Sequence, residues 1–337
     1  MLASLLITLR EGIEAALIVG IIITYLSKIN KSVYIKEVIL GIVIAVFASA
    51  GTAWLFEKIM GGFRGRSENI FEGVIMLLAV SVLTYMIIWM HHQAKNIAGN
   101  LREQINAYIT HRQIYGLAFL GFISVYREGV ETVLFFAALR AADAASWIGG
   151  ILGLLIAVIL AILFFKTTQH FSLKRFFQLT GLFIILIAAG LFAHGIHELQ
   201  EAGVIPTVKE HLFDINPTLT YSKTEKMDSF LSQPDWQKKI PGKNQEEVFT
   251  LIQSLIQNNG TYQSKEYKPY QPLIQEGWVR VESPFRLAFH ENGIVGSFLK
   301  ALFGYNANPS LIELLSYLLY YFGIYGLVRL SRHRLDQ

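Results

Sequence analysis

Two copies of one five-residue phrase carry the ionisable chemistry of this 337-residue chain. Arg10-Glu11-Gly12-Ile13-Glu14 lies within LLITLREGIEAALIVG, and Arg127-Glu128-Gly129-Val130-Glu131 within GFISVYREGVETVLFFAAL. Glutamates three apart share a helix face, so each phrase offers two carboxylates side by side. The arginine and the second glutamate stand four apart, at the spacing of an intrahelical ion pair. The glycine between the glutamates removes a side chain and lets another helix, or an ion, approach closely. Pooled, four carboxylates and two guanidiniums leave a formal charge of minus two. Buried, that imbalance calls for protons or a multivalent cation. Oxygen-only ligands favour hard cations over soft ones such as Cu(I), and Mg, Ca, Mn and iron all tolerate carboxylates.

The setting of the phrases sharpens this. Each sits in an apolar stretch long enough to cross a bilayer, where one charged residue costs about 2.5–3.5 kcal/mol at mid-depth. A structural ion-pair cluster locking two helices is one explanation. A cation site on a transport path is the other, and intramembrane ionisable groups favour it. Composition agrees with a membrane class: 53% of residues are hydrophobic and only 16% are charged. The basic residues fall between apolar runs, which points to a cytoplasm-facing membrane surface and not to nucleic acid. With no cysteine in the chain, disulfides, cysteine-type zinc sites and thiolate chemistry are excluded. No cleavable leader is read at the start, because the first apolar run begins at Met1 without a basic segment and already holds Arg10.

The elements that must position these residues follow from hydropathy. Taking about 20 apolar residues per span, helices are expected near 2–26, 34–57, 70–91, 114–138, 147–166, 176–199 and 310–330. All eight prolines lie at or after Pro206, so the first six spans are uninterrupted. The predicted architecture is an all-α polytopic membrane protein. A six-helix core covers 1–200, an extracytoplasmic loop or small inserted domain 201–309, and a seventh helix with a short tail 310–337. Lys28, Lys31, Lys36, Lys95, Arg102, Arg112, Lys166, Lys174, Arg175, Arg329, Arg332 and Arg334 gather on one side. Only Lys58, Arg64, Arg66 and Arg140 lie on the other. The N-terminus is therefore expected outside and the C-terminus in the cytoplasm. The first and fourth spans then run antiparallel, which predicts an inverted repeat of spans 1–3 and 4–6 with both phrases at nearly the same depth.

Further polar groups cluster at the outer ends. Glu68 and Glu72 lie four apart at the start of the third span, and His194, His197, Glu198 and Glu201 share a side at the end of the sixth. If those spans are symmetry mates, the groups face each other as a vestibule that collects metal above the main site. The same residues would also serve simply to solvate helix ends. His91, His92 and His111 border the segment 92–113, whose spacing suits an amphipathic interfacial helix, and they read as solvated. Gly149 and Gly153 form a GxxxG pair read as a packing surface. Residues 218–290 are mixed in charge and not low in complexity, with helix-like pieces near 224–233 and 244–257, so a small folded domain is expected there.

Two R-E-G-x-E copies in the first and fourth of seven spans resemble the oxidase-dependent iron permease family, with its bacterial EfeU-type members. Phe71-Glu72-Gly73, His194-Gly195-Ile196-His197-Glu198-Leu199-Gln200-Glu201 and Gly304-Tyr305-Asn306-Ala307-Asn308-Pro309-Ser310 fit it as well. The likeness covers residues 1–217 and 291–330 and departs at about 218–290, where the family pattern has a much shorter loop. The resemblance implies a cell-membrane permease that imports iron as its substrate, not as a cofactor. Glu11, Glu14, Glu128 and Glu131 would bind iron in transit, with Arg10 and Arg127 holding the carboxylates. It further implies ferric iron, delivered after oxidation by an extracytoplasmic oxidase, a haem peroxidase-like or a cupredoxin-like component. A transporter of another divalent cation shares every residue-level feature. A membrane-embedded di-iron carboxylate enzyme fits less well, since the deep phrases lack histidine.

Overall fold

The computed structural model describes residues 1–93, 97–110, 113–166, 173–206, 218–221, 261–263, 279–281, 294–306 and 309–333. In chain order these form α1 (Leu2–Lys28), a 3-10 turn (Ser32–Tyr34), α2 (Ile35–Met60), α3 (Arg66–Gln93), α4 (Ile97–Thr110), α5 (Ile114–Ala141), α6 (Trp147–Lys166) and α7 (Leu173–Glu201). Three short strands follow, β1 (Thr218–Tyr221), β2 (Thr261–Gln263) and β3 (Val279–Val281), then α8 (Ile294–Phe303) and α9 (Leu311–His333). The chain divides into two compact units: one contains α1–α7 and α9, the other the strands and Ile294–Lys300.

Five helices among the described residues are long and apolar enough to cross a membrane: α2 with the turn before it, α3, α6, α7 and α9. α1 and α5 have the length, 27 and 28 residues. At 1.5 Å per residue each is roughly 40 Å long. What separates them from the other five is the R-E-G-x-E phrase that each carries. α2 and α6 turn large apolar side chains such as Phe47, Trp54, Ile151 and Leu155 outward, as lipid-facing helices do.

α1 and α5 end in the same way. Lys31 N–H donates to the Leu26 carbonyl (2.8 Å), and Ala144 N–H to the Leu139 carbonyl (2.8 Å). Each closure turns on a left-handed residue, Asn30 (φ 58°) after α1 and Asp143 (φ 50°) after α5. Asparagine and aspartate tolerate that conformation because their short polar side chains can bond locally. Through these turns α2 returns against α5, and α6 against α1. α3 packs on α7, α1 on α5, and α9 on α7. The main core, including Met76, Leu83, Phe135, Leu139 and Ile184, lies where α3, α5, α7 and α9 meet.

The amphipathic segment expected at 92–113 is α4, and its apolar positions are used. Leu101 and Ile105 are buried against Ile22 and Leu26 of α1, Val38 of α2, and Leu117 and Leu120 of α5. Tyr25 reinforces the joint by donating its hydroxyl to Asn106 Oδ1 (2.9 Å). His91 and His92 fall in the last turn of α3, while His111 lies outside the described residues.

The all-helical expectation describes the membrane unit, whereas the second unit also holds an antiparallel sheet of order β2-β1-β3. Thr218 pairs with Gln263 and Leu219 with Val281. The helix-like pieces expected at 224–233 and 244–257 lie outside the described residues.

If α4 is seated by its apolar stripe, Ile105→Ala should destabilise the detergent-solubilised protein by about 2–5 kcal/mol. Gln104→Ala, one position away on the exposed side, should stay within about 0.5 kcal/mol. Thermal melting of the two variants checks this; equal effects would unseat the helix.

Candidate metal-binding site

Glycine sets the geometry of the site. A Cβ added at Gly12 would stand 2.7 Å from Ala157 Cβ of α6, and one added at Gly129 would fall on Ser49 Oγ of α2. Each phrase is therefore pressed against a neighbouring helix at its glycine, and its glutamates are turned toward the opposite phrase. α1 and α5 pack directly on one another, and one ligand oxygen each of Glu11, Glu128 and Glu131 lies within 4.8 Å of the other two. Oxygens on opposite sides of a six-coordinate hard cation span roughly 4–5 Å, given bond lengths of about 2.0–2.6 Å. The cluster thus has the dimensions of a cation site made of oxygen alone.

Burial and bonding support the same use. Glu11 and Glu128 are buried. Glu11 Oε2, Glu128 Oε2 and Glu131 Oε2 accept no hydrogen bond among the described residues. A buried carboxylate oxygen without a donor carries a desolvation cost that a bound cation removes. Glu14, the fourth sequence candidate, pairs with Arg10, whose Nε is 3.0 Å from Glu14 Oε1, and lies within electrostatic reach of Glu128 and Glu131.

The two arginines differ. Arg10 is 1% exposed; its Nη1 lies 3.3 Å from Glu11 Oε1 and 4.0 Å from Met86 Sδ of α3. Arg127 donates from Nε to Glu131 Oε1 (3.0 Å), and its side chain is 43% exposed. Its guanidinium lies over the Trp89 ring, also from α3, 5.3 Å from the centroid. Sequence reasoning missed both α3 residues, because an apolar side chain on an apolar helix gives no sign of what it touches.

A crevice of about 610 Å³ reaches the carboxylates between α1, α2, α5 and α6. Its lining runs from Glu11, Gly12, Glu128 and Gly129 to Glu57 and Arg140, which form an ion pair of 3.1 Å at the helix ends. Among the remaining candidates, Glu68 Oε2 accepts from the Gly65 amide (3.3 Å) at the start of α3. Glu72 lies within electrostatic reach of Glu68, Asp143 and Arg140. The ends of α3 and α7 meet where Asn69 Nδ2 donates to Glu201 Oε2 (3.2 Å). His194 Nδ1 and His197 Nδ1 lie 3.9 and 3.5 Å from a residue the sequence did not single out, Glu313 of α9, and His197 Nε2 lies 3.2 Å from Glu201 Oε1. Glu198 is half-buried in the same turn of α7. Glu313 was masked by its position, since Ser310-Leu311-Ile312-Glu313 reads as an ordinary capping box.

Comparison with known proteins places this geometry in context. The family model described as iron permease FTR1 family matches residues 1–224. The chain is 34% identical over 224 residues to the ferrous iron permease EfeU of Escherichia coli O6:H1, covering 65% of this chain and 81% of that protein. It is 34% identical over 224 residues to the protein of the same name in Yersinia pestis, covering 65% and 79%. To an uncharacterized protein of Archaeoglobus fulgidus it is 36% identical over 202 residues, covering 60% and 71%. No solved structure matches the chain significantly. The chain belongs to the iron permease FTR1 family.

Both phrases fall in the matched segment, yet their arginines are expected to behave differently. Arg10→Gln leaves buried carboxylates uncompensated and should cost about 3–5 kcal/mol. Arg127→Gln removes a half-exposed partner and should cost about 1 kcal/mol. Melting of both purified variants decides it; equal losses would show that burial does not set the role of Arg10.

Proposed function

We propose that this member of the FTR1 family imports iron across the cell membrane, and that Glu11, Glu128 and Glu131 form the site the ion occupies in transit. The observation that carries the reading is the convergence of three carboxylates from two helices on a space of cation size. Glu14 completes the set as the carboxylate nearest the trio in sequence, held by Arg10 until the ion moves. Relatives named ferrous iron permeases support iron as the substrate.

The same reading takes α1, α2, α3, α5, α6, α7 and α9 as seven spans, with α1–α3 and α5–α7 as an inverted repeat. Exchanging the halves turns the packing of α1 on α6 into that of α5 on α2, and α3 on α5 into α7 on α1; both members of each pair occur. The contacts of Gly12 with α6 and Gly129 with α2 exchange in the same way. The matching turns at Asn30 and Asp143 add to the correspondence. With the N-terminus outside, as the lysine and arginine distribution indicates, the crevice ending at Glu57 and Arg140 is the outer access route.

Transport then needs few steps. The ion passes the Glu57–Arg140 pair, sheds water along the apolar crevice and exchanges it for carboxylate oxygens. An ion with three positive charges suits an all-oxygen, net-negative cluster, so the permeating form is ferric iron, oxidised beforehand by an extracytoplasmic partner of oxidase, peroxidase or cupredoxin type. Movement of one repeat against the other opens the cluster to the cytoplasm.

Uptake of radioactive iron in cells lacking their own high-affinity system tests the proposal. Glu11→Gln and Glu128→Gln should each lower uptake by about 10–100-fold while protein reaches the membrane in normal amount. Excess manganese or magnesium should fail to compete. Normal uptake by either variant would reduce the cluster to a structural ion-pair network, and efficient competition would transfer the site to another cation.

A further inference from the structure

We propose that the crevice between α1, α2, α5 and α6 binds a primary organic ammonium, its NH3+ group on the carboxylates at the floor and an aromatic body along the walls. Iron transit uses the floor of this crevice and leaves its walls without a role. A metal ion finds no ligand on Val46, Ala50, Val133 or Phe136, all of which line it. The volume of about 610 Å³ falls in the range of roughly 300–1,000 Å³ that holds small organic molecules. Sites of that kind are mostly apolar, with a few polar groups that fix the orientation of the ligand. Here Trp54, Phe56, Phe136 and Trp147 supply aromatic surface, Phe136 and Trp147 as a pair with ring centroids 5.7 Å apart.

The floor selects the head group. Glu11 and Glu128 line the crevice, are 1% and 4% exposed, and each keeps its Oε2 without a hydrogen-bond donor among the described residues. Glu131 Oε2 is likewise without a donor, and one oxygen from each of the three glutamates lies within 4.8 Å of the other two. A primary ammonium carries three N–H donors. At charge-assisted distances of about 2.7–2.9 Å, its three acceptors stand roughly 4.5 Å apart. Three donors meet three carboxylates. A quaternary ammonium has the charge but no N–H, so it leaves the buried oxygens unpaired and their desolvation cost in place.

Charge and length suit a ligand that enters head first. The four carboxylates and two guanidiniums of the phrases leave the floor net negative. At the other end of the crevice Arg140 is already held by Glu57 at 3.1 Å. Arg140 follows Glu128 by twelve residues on α5, a rise of roughly 18 Å, which leaves room for a ring and a short linker. An amine seated this way and a metal ion on the same carboxylates exclude each other. The amine site shares its glutamates with the proposed iron site but does not require iron as the cargo.

The test is calorimetric titration of the full chain in lipid nanodiscs with 2-phenylethylammonium, empty nanodiscs serving as the blank. Saturable binding at a single site per chain is expected. Ethylammonium, which lacks the aromatic body, and N,N,N-trimethyl-2-phenylethylammonium, which lacks the N–H donors, should each bind about 10–100-fold more weakly. Glu128→Gln should raise the Kd for 2-phenylethylammonium by a similar factor, about 10–100-fold. Ala53→Trp fills the crevice from its α2 wall without touching a carboxylate, and should abolish binding in a protein whose thermal melt shows it folded. If Glu128→Gln does not fold, Ala53→Trp and the ligand series decide. Native protein without saturable binding would overturn the proposal, as would ethylammonium binding equally well or binding unchanged in Ala53→Trp. Failed iron uptake with amine binding intact would count against the transport reading alone. Iron uptake that depends on Glu11 and Glu128, in a protein that binds no amine, would count against the amine site alone.

Discussion

Charge balance in a low-dielectric interior governs this molecule. Four glutamates and two arginines lie inside the helices of a protein whose remaining long helices are apolar enough for lipid. Each ionised group at that depth is costly, and burying one without a partner costs more than burying a pair. The chain meets part of the cost within each phrase, where the arginine reaches the glutamate four residues on at 3.0 Å in both copies. Two guanidiniums do not neutralise four carboxylates, and three of the carboxylates converge. On the reading proposed above, an ion supplies the remainder.

That arrangement depends on how closely helices approach. Glycine at the centre of each phrase lets α6 and α2 press against the backbones of α1 and α5. α2 and α6 expose their other faces as apolar surface. They act as clamps between the carboxylate helices and lipid. A side chain at either glycine would push a clamp outward and loosen the cluster without touching a single charge.

Legibility followed physical contrast. The phrases were legible because charge inside an apolar run is conspicuous, and α4 because its apolar positions recur at helical spacing over a polar background. Trp89 and Met86 were not, since an apolar residue on an apolar helix carries no mark of a cationic neighbour. Glu313 was hidden for the opposite reason: a glutamate in a first helical turn is ordinary, and only packing of α9 on α7 brings it to His194 and His197. The strands escaped notice because runs such as Thr218–Tyr221 and Val279–Val281 are too short to show alternation. The vestibule expectation set Glu68 and Glu72 opposite the α7 residues, whereas the carboxylate that lies against both histidines is Glu313, more than a hundred residues further along the chain.

The two R-E-G-x-E phrases differ in the surroundings of their arginines. A cluster with equal surroundings on both sides would bind an ion well and have no built-in order of release. Here Arg10 is sealed within the protein while Arg127 is 43% exposed and rests on Trp89. Met86, against Arg10, and Trp89, under Arg127, both come from α3. A sealed guanidinium has few alternative partners, so the Arg10 pairs are hard to rearrange. The Arg127 guanidinium, by contrast, is 43% accessible and lies over the Trp89 ring. The two phrases thus share their internal ion pairs and differ in what surrounds their arginines.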